Sequence, residues 1–301
     1  MSDDITARLL RDWPLPMPAA NADKDARGYA LIVAGCKEMP GAVLLAATAA
    51  LRAGAGKLVI ATAASIAPQV GVAVPEARVI GLPETEAGGL MADDAGSLIH
   101  VARQASAVLI GPGMEDDAAC CRLVRALLPH CAGKPLILDA AGMSIAARDA
   151  DCAEAAAPGG FRFDNPTLMT PHAGELASLT GADKGDIQSQ PEAAARLAAQ
   201  RWQATVVLKG ALTVIADAST RQWCHEGGNT GLAISGSGDV LAGIITGLAA
   251  RGATLEQAAA WGVALHAMAG EQLALKHGPL GYLAREISTE VPALLRALAA
   301  N

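Results

Sequence analysis

The sequence predicts an α/β fold with a single doubly wound, mostly parallel sheet flanked by helices. Short β-branched runs alternate with longer Ala- and Leu-rich stretches, which is the pattern of βα units. Several runs are apolar at every position, as is typical of parallel strands covered by helices on both faces. Because no repeat, low-complexity tract or Pro/Ser-rich linker divides the chain, we expect a single domain over residues 1–301.

The strands are predicted from the β-branched runs, taken in chain order. After a polar N-terminal stretch, the first core strand is expected in YALIVAG at 29–35. The other core strands are expected at 57–62, 77–82, 107–113, 135–140, 167–172 and 204–210. Two further runs, at 212–217 and 221–227, follow the last core strand directly and predict a short hairpin.

The helices are predicted from the Ala- and Leu-rich stretches between the strands. The clearest of these stretches lie at 41–56, 93–104 and 191–202. The chain from Gly238 to about Ala300 is predicted to be helical throughout. Its first turns carry an apolar stripe with the spacing of a buried helix face, formed by Val240, Leu241, Ile244, Ile245 and Leu248.

The composition excludes several classes of function. A net charge of −7 and only 3% aromatic residues leave neither a basic surface nor stacking rings for nucleic acid. The first residues lack a signal-peptide pattern and no uncharged apolar run approaches about 18 residues, so we expect neither export nor membrane insertion. The 6 cysteines form no C-x-x-C pair, which predicts neither a zinc site nor a disulfide framework and indicates a reducing, cytoplasmic compartment.

Gly-rich or polar segments follow the predicted strands. They read AGCKEMPGA, GPGMED, DAAGMS, PHAGE and KGALT, and SGSGD comes later in the chain. Because the carboxyl ends of parallel strands meet at one edge of a sheet, we expect these segments to line one crevice. A crevice lined by backbone segments that a ligand can approach closely suits a large phosphorylated ligand.

The segment SGSGD at 235–239 combines an anion-binding helix tip with a carboxylate. The first amides of a helix have no intrahelical partner and lie at the positive end of its dipole. With no side chains at Gly236 and Gly238, a phosphate could approach these amides closely. Asp239 could then accept the proton of a hydroxyl that attacks the phosphate. Alternatively, the dipole alone favours an acid in a first turn, and Gly often serves only a tight turn.

The longer segment GGNTGLAISGSGDVLAGIITGLAARG resembles the signature of ribokinase-like proteins, and specifically of ADP- or ATP-dependent NAD(P)H-hydrate dehydratases. The resemblance covers nearly the whole chain, because ALRAGAGK, VLIGPGM, LILDAAGM, TPHAGE and VLKGA occur in the family's order and spacing. It implies repair of hydrated NADH or NADPH. The substrate hydroxyl is phosphorylated by ADP or ATP, with magnesium (Mg2+) as the companion of the donor phosphates, and phosphate then leaves. The compact form of the chain favours ADP by resemblance.

The resemblance implies a role for particular residues. Asp239 matches the catalytic base, and the backbone anion hole matches Gly236, Ser237 and Gly238. The nucleotide-binding segment corresponds to Lys209, Gly210, Ala211, Leu212 and Thr213, with Gly238 also at the nucleotide. The pocket for the hydrated nicotinamide corresponds to Ala42, Gly113 and His172, together with Asp239. No metal-ligating residue is assigned.

Several of these residues also have simpler explanations. His172 could cap a helix that starts at Gly174, and Lys209 could be a solvated charge at a strand end. Glu175 could organise magnesium through water, although stabilisation of the helix N-terminus is favoured for it. Asn229 could fix the glycine loop or form a turn.

The chain departs from the family pattern at two places. Ile234 and Ser235 precede Gly236 where the family usually has Thr and Gly, and Ala141 replaces the second acid of an LDAD motif in which Asp139 is kept. Two rival functions therefore stay open: a ribokinase-like kinase for a small metabolite such as a vitamin precursor, and a non-catalytic nucleotide-binding module. By resemblance we also expect the stand-alone form, without a fused epimerase domain, and a homo-oligomer such as a tetramer.

Overall fold

Ten strands form one sheet in the structure, a computed structural model that describes residues 2–91, 96–147 and 161–299. In chain order the strands are β1 Ser2–Asp4, β2 Tyr29–Val33, β3 Lys57–Ala63, β4 Ala77–Leu82, β5 Ala107–Ile110, β6 Leu136–Leu138, β7 Thr167–Met169, β8 Thr205–Leu208, β9 Leu212–Ala216 and β10 Gln222–Glu226. The α-helices are α1 Ala7–Asp12, α2 Pro40–Arg52, α3 Ala67–Ala73, α4 Gly96–Gln104, α5 Asp117–Leu127, α6 Ala173–Thr180, α7 Lys184–Ser189, α8 Pro191–Trp202, α9 Ser237–Ala250, α10 Leu255–His277 and α11 Ala284–Ala299. Short 3-10 helices occupy Leu128–His130, Ala140–Ala146 and Thr230–Leu232.

The strand order is β1-β10-β9-β8-β7-β6-β5-β2-β3-β4. All neighbours are parallel except β9, which is antiparallel to both β8 and β10. From β2 the chain continues to β3 and β4 on one side, and β5 then returns to the other side of β2. Such a reversal of strand order opens a crevice beyond the carboxyl ends of the strands, and the mostly parallel sheet predicted from the sequence is confirmed.

Each predicted core strand and the predicted hairpin are present, but most strands end earlier than the sequence indicates. The run 107–113, for example, is a strand only to Ile110, because Gly111 and Gly113 adopt positive φ angles of 128° and 61°. Such angles leave the extended conformation and turn the chain into the crevice. Early strand ends therefore lengthen the segments that line this edge.

The helical prediction is partly wrong at the C-terminus. Instead of one helical stretch after Gly238, three helices are present, because Gly252, Gly278 and Gly281 adopt positive φ angles in the two breaks. The sequence also gave no indication of β1, which pairs with β10, or of α1. For the predicted helix 93–104, positions 93–95 lie outside the described residues, and α4 accounts for the remainder.

Helix α9 is buried along almost its entire length, including the predicted apolar stripe. It packs against α2 at very short range, since a Cβ atom at Gly243 would lie 2.3 Å from the carbonyl oxygen of Ala46. A Cβ atom at Gly247 would lie equally close to the carbonyl oxygen of Ala50. Two glycines thus let the helix backbones touch, which anchors the N-terminal tip of α9 over the carboxyl edge of the sheet.

The N-terminal segment packs across the far edge of the sheet. Trp13 stacks on Trp223 of β10 with ring centroids 5.8 Å apart, and its carbonyl oxygen accepts hydrogen bonds from Gln257 and Trp261 of α10. No helix within the described parts of the chain has both the length and the apolar character needed to cross a membrane.

Candidate active site

The tip of α9 presents unpaired backbone amides at the carboxyl edge of the sheet. Gly236 precedes the helix with a φ of 90°, and a Cβ atom there would lie 2.4 Å from Leu45. Among the described residues, no hydrogen-bond acceptor faces the amides of Gly236, Gly238 and Asp239. The amide of Ser237, by contrast, donates to the carbonyl oxygen of Ile234 at 3.2 Å. The free donors for an anion are therefore the glycine amides and that of Asp239, while the amide of Ser237 is already engaged.

Asp239 lies in the first turn of α9 and is half-buried. Burial raises the pKa of its carboxyl group to about 6, because the charged form loses hydration. The charge of Asp139 raises the pKa further, while Lys209 opposes the shift. The side chain is therefore ionised at neutral pH and is a stronger base than an exposed aspartate.

Lys209 also lies at the tip of α9, where the ends of three neighbouring strands meet. Its ammonium group lies 3.2 Å from Oδ1 of Asp139 and 3.7 Å from Oε2 of Glu175. A Cβ atom at Gly238 would lie 3.4 Å from Nζ of Lys209, so the ammonium group lies at the tip of α9. Burial would lower the pKa of Lys209, but the charges of Asp139 and Glu175 outweigh burial and raise the pKa above its ordinary value. A fixed cation therefore lies beside the free amides. The alternative interpretation, in which Lys209 is a solvated charge at a strand end, does not hold.

Asp139 is the buried anchor of this arrangement, with 2% of its surface exposed. It follows β6, and its Oδ1 atom accepts a hydrogen bond of 2.5 Å from the hydroxyl of Thr170, which follows β7. Since a buried carboxylate needs partners to offset lost hydration, Lys209 and Thr170 together hold it in place.

His172 caps α6, which begins at Ala173 and therefore one residue earlier than the expected Gly174. Its Nδ1 atom accepts hydrogen bonds from the amides of Gly174 at 3.0 Å and Glu175 at 3.1 Å, and the Oε2 atom of Glu175 accepts one from the amide of His172. The capping role is thus present, as is the role of Glu175 at the helix N-terminus. Because Nδ1 accepts, the proton of a neutral ring is on Nε2, and 58% of the side chain is exposed at the crevice edge. Capping and ligand binding are therefore compatible at His172.

Ala42 and Gly113 touch across the point where the strand order reverses. Gly113 follows β5 and has a φ of 61°, and Ala42 lies in the first turn of α2. A Cβ atom at Gly113 would lie 2.4 Å from the Cβ atom of Ala42 and 3.0 Å from the carbonyl oxygen of Met39. Only small residues fit, so the pair forms a close wall at the opening of the crevice.

The expected nucleotide-binding segment forms the turn between β8 and β9. Gly210 and Ala211 are exposed, Leu212 and Thr213 begin β9, and the hydroxyl of Thr213 donates to the carbonyl oxygen of Gly210 at 3.2 Å. The amide of Lys209 donates to the carbonyl oxygen of Pro171 at 2.8 Å. This bond joins the segment to the turn that carries His172, so both segments face the same edge.

The contact of His266 with Ser237 was not predicted from the sequence, whereas a turn role was one of the two interpretations left open for Asn229. His266 of α10 places Nε2 at 3.0 Å from the hydroxyl oxygen of Ser237 and 3.1 Å from its carbonyl oxygen. The side-chain oxygen of Asn229 accepts hydrogen bonds from the amide of Gly231 and the hydroxyl of Tyr282, which supports its turn role. A lone His in an apolar helix carries no spacing signal, and its partner is 29 positions away along the chain.

The carboxylates do not form a complete metal cage. Within the described residues, no group of three or more His, Cys, Asp or Glu side chains is arranged to hold a metal ion. The second acid expected near Asp139 is replaced by Ala141, which lies half-buried in a 3-10 helix. A carboxylate oxygen of Glu175 nevertheless lies at the crevice, and it is of the type that Mg²⁺ uses when most of its shell is water and phosphate.

Comparison with known proteins gives a consistent picture. A family model described as NAD(P)H-hydrate dehydratase matches residues 30–293. An ADP-dependent (S)-NAD(P)H-hydrate dehydratase from Xanthomonas campestris pv. campestris is 45% identical over 98% of this chain and 96% of its own. The structure of the ADP/ATP-dependent NAD(P)H-hydrate dehydratase from Bacillus subtilis, co-crystallised with ATP/Mg2+, is similar with a TM-score of 0.81 and 30% identity, covering 99% of each chain. A ribokinase-like superfamily protein from Enterococcus faecalis V583 gives a TM-score of 0.83 at 25% identity, covering 100% of this chain and 97% of its own.

Proposed function

Since this chain belongs to the NAD(P)H-hydrate dehydratase family, we propose that it dehydrates hydrated NADH or NADPH at the carboxyl edge of its sheet, with ADP as phosphoryl donor. The chain is an enzyme of the lyase class with a ribokinase-like fold, as the sequence resemblance predicted. Nucleotide use is likewise supported by the relatives, and the kinase and non-catalytic alternatives are not.

One observation carries the proposal. The basic carboxylate of Asp239 lies beside the free amides of the α9 tip and the fixed ammonium group of Lys209. The amides and the ammonium group stabilise negative charge, so a terminal phosphoryl group is held there against repulsion by Asp239. Asp239 remains free to accept a proton from an alcohol on the opposite side of that phosphoryl group.

The first step is phosphoryl transfer. Asp239 takes the proton of the substrate hydroxyl as the hydroxyl oxygen bonds to the terminal phosphorus of ADP, and the bond from phosphorus to the bridging oxygen breaks to release AMP. The protein contributes position and charge rather than covalent chemistry. Lys209 and the amides of Gly238 and Asp239 face the oxygens on which the charge develops.

The second step is elimination. The lone pair of the ring nitrogen forms a double bond to the carbon that carries the phosphate, so the carbon–oxygen bond breaks and inorganic phosphate leaves. Loss of a proton from the neighbouring carbon restores the dihydronicotinamide. Phosphorylation matters because hydroxide is a poor leaving group and phosphate is a good one.

Magnesium fits the chemistry of the donor set. The carboxylate of Glu175 would hold it through water, because Mg²⁺ keeps several waters and is commonly bound by one or two carboxylates together with substrate phosphates. When bound it neutralises charge on the donor phosphates. With or without magnesium, the carboxylate of Glu175 is held in position by the hydrogen bond that it accepts from the amide of His172.

The remaining site residues divide between the two ligands. We propose that the turn from Lys209 to Thr213 contacts the donor nucleotide and that the hydrated nicotinamide packs near Ala42, Gly113 and His172. The exposed backbone of Gly210 and Ala211 and the Nε2–H group of His172 support this division. The proposal also includes a cytoplasmic, homo-oligomeric enzyme in which residues 1–301 act as one domain, with no nucleic-acid or membrane partner.

The test incubates the purified protein with hydrated NADH or NADPH, magnesium and either ADP or ATP. Restored absorbance in the NADH band, with AMP and phosphate formed in equal amounts from ADP, is the expected result. A stable phosphorylated product without restored absorbance would identify a kinase instead. Binding of ADP without any phosphate release would identify a non-catalytic module.

A further inference from the structure

His266 is a histidine that the proposed reaction does not use. It lies on α10 and its Nε2 atom is 3.1 Å from the carbonyl oxygen of Ser237. Loss of hydration lowers the pKa of its ring to about 4, so the ring is neutral at neutral pH. A carbonyl oxygen can only accept, so this contact is a hydrogen bond in the tautomer that carries its proton on Nε2, which is the tautomer assigned to His266.

The carbonyl of Ser237 and the amide of Gly238 belong to the same peptide group. A trans peptide is planar, and its C=O and N–H bonds point in opposite directions. Within α9 the carbonyl of Ser237 points along the helix axis and the Gly238 N–H group points to the N-terminal tip, and a hydrogen bond from His266 to that carbonyl oxygen restrains the same peptide plane. It also polarises the peptide, which makes the N–H group a better donor.

We propose that His266 is a positioning residue that orients and polarises the Gly238 amide toward the terminal phosphoryl group of the donor nucleotide. The identity of this ligand rests on the proposed function. The amide of Gly238 faces no acceptor in the described residues, and the ammonium group of Lys209 lies beside it. The hydroxyl oxygen of Ser237 lies 3.0 Å from the same Nε2 atom and shares its proton as a second acceptor.

The experiment compares the affinities for ADP and AMP, measured by titration calorimetry, because AMP lacks the phosphoryl group that this amide would receive. His266→Leu removes the donor at similar size and is expected to weaken ADP binding about five- to tenfold, with AMP binding unchanged. His266→Gln keeps an N–H donor near the same place and is expected to restore most of the ADP affinity. Equal weakening of ADP and AMP binding by His266→Leu would overturn the proposal.

Gln257→Leu is the matched control. Gln257 is another buried polar residue of α10, and its side chain donates to the carbonyl oxygens of Trp13 and Pro14, away from the crevice. This variant is expected to lower the melting temperature without changing the ratio of ADP to AMP affinity. If the ratio changes as much as in His266→Leu, loss of a buried polar contact explains both and the proposal fails.

If His266→Leu does not fold, Ser237→Ala supplies the second variant, because it removes the hydroxyl contact and leaves the helix. A smaller, ADP-selective loss is expected, and an unchanged ratio would count against the proposal. These binding measurements do not depend on turnover. A wild-type protein that prefers ADP to AMP but fails to dehydrate its substrate would contradict the proposed function and leave this inference testable.

Discussion

The ammonium nitrogen of Lys209 lies 3.2 Å from Oδ1 of Asp139, although the two residues are 70 positions apart in the chain. This pair places a fixed positive charge at the α9 tip and a fixed negative charge near Asp239. The two charges act on Asp239 in opposite directions, since Asp139 raises its pKa and Lys209 lowers it. The basicity of the proposed catalytic base is therefore set by burial and by the residues at two strand ends, those of β6 and β8.

Asp239→Asn is expected to reduce turnover about 10²- to 10⁴-fold, which is the usual contribution of a general base. The amide has nearly the same shape, so the free backbone amides stay in place and ADP binding is retained. Steady-state rates and ADP titration on the same preparation check both parts. Turnover within a few-fold of wild type would remove Asp239 from the proposed role.

The same variant is expected to stabilise the fold at neutral pH. The native pKa of Asp239 is about 6, above the ordinary value of 3.8, so the native state binds more protons than the unfolded state between these values. The stability that the Asp239 carboxyl group contributes therefore falls as the pH rises from about 4 to 6. Replacing this group with a neutral amide restores that stability. We expect a gain of roughly 1–3 kcal/mol at pH 7, measured by urea unfolding. A loss of stability would mean that the charged form makes favourable contacts.

Activity is expected to fall as pH drops through about 6, because protonated Asp239 cannot accept a proton. Asp139→Asn removes a charge that raises the pKa of Asp239, so the acidic limb of the rate profile is expected to move to lower pH. The profile of kcat/KM against pH for wild type and variant measures the shift. Movement of the limb to higher pH would show that Asp139 acts mainly by holding Lys209.

Lys209→Met is expected to move the acidic limb in the opposite direction, since Lys209 lowers the pKa of Asp239. It is also expected to weaken ADP binding, because a cation is lost beside the free amides. Lys57→Met is the matched control. Lys57 pairs with Asp25 at 2.9 Å at the start of β3, at the opposite edge of the sheet, and its loss leaves both quantities unchanged. Equal effects of the two variants would contradict the placement of Lys209 at the site.

Gly243→Ala is expected to destabilise the fold by about 1–3 kcal/mol through overpacking. Its new Cβ atom would lie 2.3 Å from the carbonyl oxygen of Ala46, so α9 must move away from α2 and carry its tip with it. Turnover is therefore expected to fall as well. Gly96→Ala in α4 is the control, because its Cβ atom meets no atom of the described residues within 4 Å and the helix gains a better helix former. Thermal unfolding of both variants checks the difference.

The sequence by itself determined the fold class, the crevice and the helix tip with Asp239. These features depend on local signals: β-branched runs, Gly-rich strand ends and the apolar stripe of α9. Parallel strands bring their carboxyl ends to one edge whatever their order, so the segments that line the crevice could be predicted before the order was known. The position of Lys209 at this edge follows from that rule, because Lys209 directly follows β8.

Only the tertiary structure decided which side chains meet. The pairing of Lys209 with Asp139 and of His266 with Ser237 requires that β6 and β8 both adjoin β7 and that α10 returns to the tip of α9. The sequence pattern contains neither fact, because contacts between distant residues depend on how the elements pack rather than on local spacing. The breaks in the C-terminal helices were missed although Gly252 and the Gly278–Pro279 pair are local turn signals, since glycine adopts either sign of φ and only the structure shows that the chain turns there.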